Sequence, residues 1–136
     1  MVFWRSDDLQ QLEEALSRGY AVVASDMGHS GAPNNWLFMY ANLQAVVDFA
    51  YRATHVVTIA AKEVVAAYYG TAPRLSYFNG CSTGGRQAIV EASRYPEDFD
   101  GIIAGAAANP KAHLDAWRIW MAQVMFASAE TVVPPL

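Results

Sequence analysis

Seven residues, Asn79-Gly80-Cys81-Ser82-Thr83-Gly84-Gly85, join a strand-like segment, Leu75-Ser76-Tyr77-Phe78, to a helix-like one running from Gly84 to Arg94. A strand that enters a helix through Gly-x-Ser-x-Gly must turn sharply. Glycine on both flanks allows the turn, because neighbouring backbone then passes without a Cβ clash. The turn lifts the serine hydroxyl clear of the sheet, which predicts a nucleophile at Ser82 with Gly80, Gly84 and Gly85 shaping the elbow. Thr83, the residue after it, is placed to offer its backbone N–H to a developing oxyanion.

Two other readings of the same residues fail on chemistry. A phosphate-binding loop needs Lys followed by Ser or Thr after its last glycine, and Arg86-Gln87 stands there instead. A cysteine nucleophile at Cys81 would put Asn79 and Thr83 where the close-approach glycines belong, whereas centring the turn on Ser82 puts Gly80 and Gly84 there. The register therefore favours Ser82, although a thiol is intrinsically the stronger attacker.

The rest of the chain alternates helices with strands. Asp7 opens a helix with Gln10 as its capping-box partner and Leu9, Leu12 and Leu16 as an apolar stripe, and Gly19 ends it. Tyr20 to Ser25 is apolar and β-branched enough for a buried strand, closed by the turn residues Asp26-Met27-Gly28, and a loop follows through Gly31 to Asn35. Helical spacing returns from about Leu43 and is strongest from Arg52 to Tyr69, before Gly70. Gly101-Ile102-Ile103-Ala104-Gly105 is a third strand, and Ala112 to Ala127 is again helical, with Trp117, Trp120, Met121, Val124 and Met125 on or near one face, expected to pack in a core in preference to flooring an aromatic-binding site. Val132 to Pro135 is extended. This order predicts an α/β fold with a parallel sheet of about three βαβ-linked strands and flanking helices.

Composition limits the partners. The 136 residues are 54% hydrophobic and 16% charged, enough to bury a real core in a single domain. The net charge is −4 and the nine basic residues are scattered, so no cationic stripe exists for nucleic acid or an anionic membrane surface. No stretch approaches the ~18 apolar residues of a membrane span. Met1 to Asp8 carries acidic residues where a signal peptide needs its apolar centre.

Three stretches together resemble the tannase and feruloyl esterase family: Gly19-Tyr20-Ala21-Val22-Val23-Ala24-Ser25-Asp26-Met27-Gly28-His29, Asp48 to His55, and Tyr77 to Gln87 through the elbow. The likeness continues from Arg94-Tyr95-Pro96-Glu97-Asp98-Phe99-Asp100 to Ala106. It implies a partial α/β-hydrolase core over residues 1–136, with the start of a lid insertion over 112–136. It further implies a carboxylic ester hydrolase whose Ser82 forms an acyl-enzyme, and a small aromatic ester of the gallate or ferulate kind as its partner. In such proteins a cysteine before the nucleophile pairs with one after the catalytic His, and Cys81 matches the first half. Cys81 is the sole cysteine of the chain, so it reads here as a small buried thiol. The family's calcium is expected in its lid, and no cofactor or metal is expected in this chain. The family is usually secreted or periplasmic, while the chain shows no signal peptide, so the compartment is left open.

In this architecture the triad runs Ser, then Asp or Glu, then His. His113 falls too early for that role, and Glu91, Glu97, Asp98 and Asp100 fall on the far side of the elbow helix, where they are expected to be solvated or to cap. The second oxyanion donor belongs to a glycine-rich loop, and Met1 to Ser6 has no glycine. The chain thus reads as an internal fragment with little turnover of its own. His29 sits after a strand, where it either shapes the pocket or caps the turn; His55 is expected to pack or lie on the surface. The competing readings are a non-catalytic α/β interaction module, or an acyltransferase using the same serine. Unpaired sheet edges would favour self-association.

Overall fold

The computed structural model describes residues 2–5, 9–30 and 35–128. Four strands, β1 (Val2–Arg5), β2 (Val22–Ser25), β3 (Tyr77–Cys81) and β4 (Gly101–Gly105), form one parallel sheet in the order β2-β1-β3-β4. α1 (Leu9–Ser17) connects β1 to β2; α2 (Leu43–Val47) and α3 (Ala53–Tyr69) lie between β2 and β3. α4 (Thr83–Arg94) connects β3 to β4, and α5 (Lys111–Met125) follows.

Alternation along the strands sorts the side chains onto two layers. Phe78 of β3 and its register partner Ile102 of β4 point to one face, where Phe78, Ala88 and Phe99 form the core with Val23, Val57 and Ile102 against them. That face is covered by α3 and α4. Phe78 is 1% exposed and stacks edge-on with Phe99 at 5.4 Å, a burial worth about 1.5–3 kcal/mol. The next residues along, Tyr77, Asn79 and Ile103, face the other way and meet Glu14 and Ala15 of α1 and Arg18 just after it around an open cavity of about 260 Å³. The chain therefore winds outward from β1 in one direction and from β3 in the other. The two strands are neighbours, and functional loops of such sheets gather at the carboxyl ends flanking this switch point.

The parallel α/β sheet with flanking helices is as expected, and β1 adds a fourth strand to the three. Its four residues carry no turn signal of their own; the strand exists because β2 and β3 pair with it on both sides. β3 begins two residues later than its apolar run and continues to Cys81, because Ser76 is held by Asp100 instead of the ladder: Ser76 N–H donates to Asp100 Oδ2 at 2.7 Å and Asp100 N–H to the Ser76 carbonyl at 2.8 Å. The helix expected from Leu43 is interrupted by one π turn over Asp48–Arg52 before α3 proceeds to Gly70, whose φ of 71° ends it. The core role expected for the α5 stripe does not hold, since no residue of α5 is buried; Trp117 is 53% and Trp120 56% exposed. Periodicity identifies an apolar face but not the surface it meets. The expected cap at Asp7, part of the loop from Gly31 to Asn35 and the tail from Val132 to Pro135 lie outside the described residues.

Candidate active site

Ser82 stands between the end of β3 and the first residue of α4, with φ 57° and ψ −112°. A residue bearing a Cβ avoids this region, at a cost of about 1–3 kcal/mol, unless its surroundings impose it. Three backbone hydrogen bonds do so. The Ser82 N–H donates to the Gly105 carbonyl at the end of β4 (3.0 Å), and the Ser82 carbonyl accepts from Arg86 N–H (3.1 Å) and Ala108 N–H (3.3 Å). The side chain makes no capping bond and the residue is exposed, so among the described residues nothing engages its hydroxyl at the head of the helix. Thr83, Gly84 and Gly85 follow with N–H groups that have no intrahelical acceptor, the feature that makes a helix start favourable to negative charge.

The glycines do not share one role. A Cβ on Gly80 would overlap the Gly84 carbonyl and approach Phe78 Cε1 to 2.7 Å; on Gly85 it would overlap the Gly105 carbonyl and reach Ala107 Cα at 2.9 Å. On Gly84 it would meet nothing within 4 Å. The expected close approach at Gly84 is thus corrected: Gly84 supplies the backbone that Gly80 must pass, and Gly85 is the glycine that fits α4 onto β4.

One turn along α4, Arg86 is 9% exposed and crosses to the π turn. Its two terminal nitrogens donate to the carbonyls of Ala50 (2.9 Å) and Phe49 (2.8 Å), and its guanidinium lies 4.8 Å from the centre of the Phe49 ring. Phe49 anchors an aromatic group. Phe38 and His29 stack at 3.8 Å with 9° between planes, and Phe49 meets His29, Phe38 and Trp36 edge-on, each at 5.6 Å. The turn before His29 is held by Ser25 Oγ, which accepts from Met27 N–H, and Asp26 Oδ1, which accepts from Gly28 N–H. His29 joins it as well, its N–H donating to the Asp26 carbonyl and its Nδ1 lying 3.5 Å from the Met27 carbonyl, so the residue both closes the turn and stacks in the aromatic group.

Beside this group lies a cavity of about 560 Å³ with Trp36, Met39, Phe49 and Ile119 as apolar walls and Arg86 and Lys111 at its edges. Lys111 lies 5.2 Å from the centre of the Trp36 ring and also bonds Asp115, which holds the Asp115 carboxyl below its ordinary range.

The far end of α4 carries a different polar cluster. His55 stacks on Tyr95 at 3.9 Å and its Nδ1 lies 2.6 Å from Asp98 Oδ2, while Lys62 donates to the Asp98 carbonyl at 2.5 Å. The packing role expected of His55 is what the structure shows. Asp98 and Glu91 are not solvated, contrary to expectation: Asp98 is 7% and Glu91 0% exposed. Burial and the neighbouring Asp98 carboxylate push Glu91 up to about 8. Glu91 sits one turn beyond Gln87 on the same buried face, a placement its polar type concealed in the sequence. Asp100 does cap, as the Ser76 bonds show.

Cys81 is exposed rather than buried, at the outer end of β3 beside Gly105. Among the described residues, no group of three or more His, Cys, Asp or Glu side chains is placed to hold a metal, and no helix is long and apolar enough to cross a membrane. His113 is exposed on α5, and among the described residues no imidazole hydrogen-bonds the Ser82 hydroxyl.

A strained serine between a parallel strand and the helix behind it, next to the sheet's switch point, defines a partial α/β-hydrolase core. The family described as tannase and feruloyl esterase matches residues 4–136, and the chain belongs to it. It is 44% identical over 109 residues to a probable feruloyl esterase B-2 of Aspergillus flavus, covering 80% of this chain and 20% of that protein. An uncharacterized esterase of Xanthomonas campestris pv. campestris is 35% identical over 133 residues, or 98% of this chain and 23% of the relative. The crystal structure of feruloyl esterase B from Aspergillus oryzae superposes with a TM-score of 0.86 at 33% identity, covering 92% of this chain and 26% of that one. The chain thus spans about a fifth of the length of the curated relatives it matches.

Arg86, Phe49 and Phe38 had drawn no functional reading from the sequence. In the sequence Arg86 argues against a phosphate loop and lies in the family-like stretch Tyr77 to Gln87; a cation directly after Gly84-Gly85 is the one signal there for an anchor near the elbow.

Proposed function

We propose that the chain carries the nucleophilic centre of a carboxylic ester hydrolase acting on esters of aromatic acids, ferulate being the acid named in the relatives. Ser82 Oγ attacks the ester carbonyl, the alcohol leaves as an acyl-Ser82 ester forms, and water then releases the acid and restores the hydroxyl. Thr83 N–H, at the start of α4, faces the developing oxyanion. The observation that carries this reading is the Ser82 backbone, held at φ 57° by bonds from two other segments while, among the described residues, its side chain makes no capping bond.

The proton on Ser82 needs a base, and the described residues bring none to it. His29 is engaged with Phe38, and His55 with Asp98. We therefore expect slow turnover of p-nitrophenyl or methyl ferulate esters by the 136-residue chain, within the residual ~10³–10⁴ over water that binding and oxyanion contacts leave when triad members are missing. Added imidazole, supplying the base, should raise it. Release of acid that is equal in the Ser82→Ala variant, with and without imidazole, would sink the proposal.

A further inference from the structure

We propose that Arg86 is a positioning residue for Ser82, clamping the first turn of α4 to the π turn at Phe49 and Ala50 so that the elbow keeps its strained geometry. The inference rests on the reading of Ser82 as nucleophile only for its catalytic consequence. The geometry comes from three facts. Arg86 N–H donates to the Ser82 carbonyl, so backbone at position 86 directly restrains position 82. The Arg86 guanidinium is buried and donates to two carbonyls of one π turn, a forked contact that fixes both distance and orientation. The same guanidinium covers Phe49, the ring that carries His29, Phe38 and Trp36.

A π turn places its carbonyls out of the regular α register, and such turns recur at functional sites. Here the turn presents two adjacent carbonyls to a single cation. A strained residue relaxes when its supports loosen, and Ser82 is supported from β4, from residue 108 and through Arg86. Removing the clamp leaves the helix start free to rotate toward ordinary φ values, taking the hydroxyl and the Thr83 N–H out of line.

Native-state amide exchange on the 136-residue chain tests this without requiring turnover. In Arg86→Met, which keeps the stem and loses the donors, exchange at Ser82 and Ala108 should rise about tenfold or more over the change at Phe78 and Ile102 in the core strands. Arg86→Lys, which keeps the charge but not the fork, should recover part of that protection. In the imidazole-assisted ester assay, Arg86→Met should lower kcat with little change in KM. An equal rise at Ser82 and in the core strands would make Arg86 a general stabiliser and overturn the proposal, as would an unchanged Ser82 amide. Should Ser82→Ala leave hydrolysis intact, the nucleophile reading fails while the exchange result still decides the clamp.

Discussion

Ser82 hangs from Gly105: its N–H donates to that carbonyl over 3.0 Å, and Gly85 passes so close beneath the same oxygen that a Cβ there would overlap it. One oxygen at the end of β4 thus sets both the height of the serine and the seat of the helix behind it. Gly85→Ala and Gly80→Ala should each destabilise the chain by about 1–3 kcal/mol, the usual range for overpacking, with more if backbone must move. Gly84→Ala, with open space at its Cβ, should be neutral or stabilising by up to about 1 kcal/mol. Thermal denaturation of the three variants separates them, and equal losses would contradict the division of roles.

Ser82→Gly should stabilise the fold while abolishing ester cleavage. Glycine adopts φ 57° without the Cβ penalty, so about 1 kcal/mol or more of stored strain is released. Ser82→Ala keeps the Cβ and should show no comparable gain. Urea titration of both variants against the parent measures the difference, and a Ser82→Gly variant less stable than Ser82→Ala would argue against strain at this position.

Stability should fall as pH rises from the ordinary glutamate range toward 8. Glu91 is held at about 8 in the folded chain against 4.5 for the free side chain, so over that interval the folded state binds the extra proton. The favourable contribution is complete below 4.5 and is lost as pH passes through 8. Glu91→Gln, neutral at every pH and similar in shape, should flatten this part of the profile and be more stable than the parent at pH 8. A parallel pH dependence in parent and variant would show that Glu91 does not titrate with folding.

Cys81 should react in the folded state. It is exposed at the end of β3, so one equivalent of thiol per chain should titrate with a disulfide reagent before any denaturant is added. A thiol that appears only on unfolding would show that this end of the strand is covered. The alkylated chain should keep its thermal midpoint.

Legibility followed the type of signal. The elbow could be read because its glycines and serine have few other reasons to stand at that spacing between a strand and a helix. β4 could be read to the residue, since Gly101 and Gly105 bracket an uninterrupted apolar run. β1 could not, because four residues form a strand only through the partners on either side. The π turn at Asp48–Arg52 leaves no mark in the spacing of apolar residues, so the acceptors of Arg86 were invisible even though Arg86 itself stood in plain sight. Glu91 and Asp98 looked like surface carboxylates; only packing of α4 against α3 and the turn before β4 puts them inside.

The bonds to Ser82 from Gly105 and Ala108 also set an order of events. Nothing within the Gly80 to Gly85 segment can complete the serine's geometry, because two of its three tethers arrive from sequence more than twenty residues later. On a ribosome, the φ of 57° at Ser82 therefore stays unfixed until β4 has emerged and docked. The elbow geometry at Ser82 is a late product of folding, and protection of the Ser82 amide against exchange would time the docking of β4.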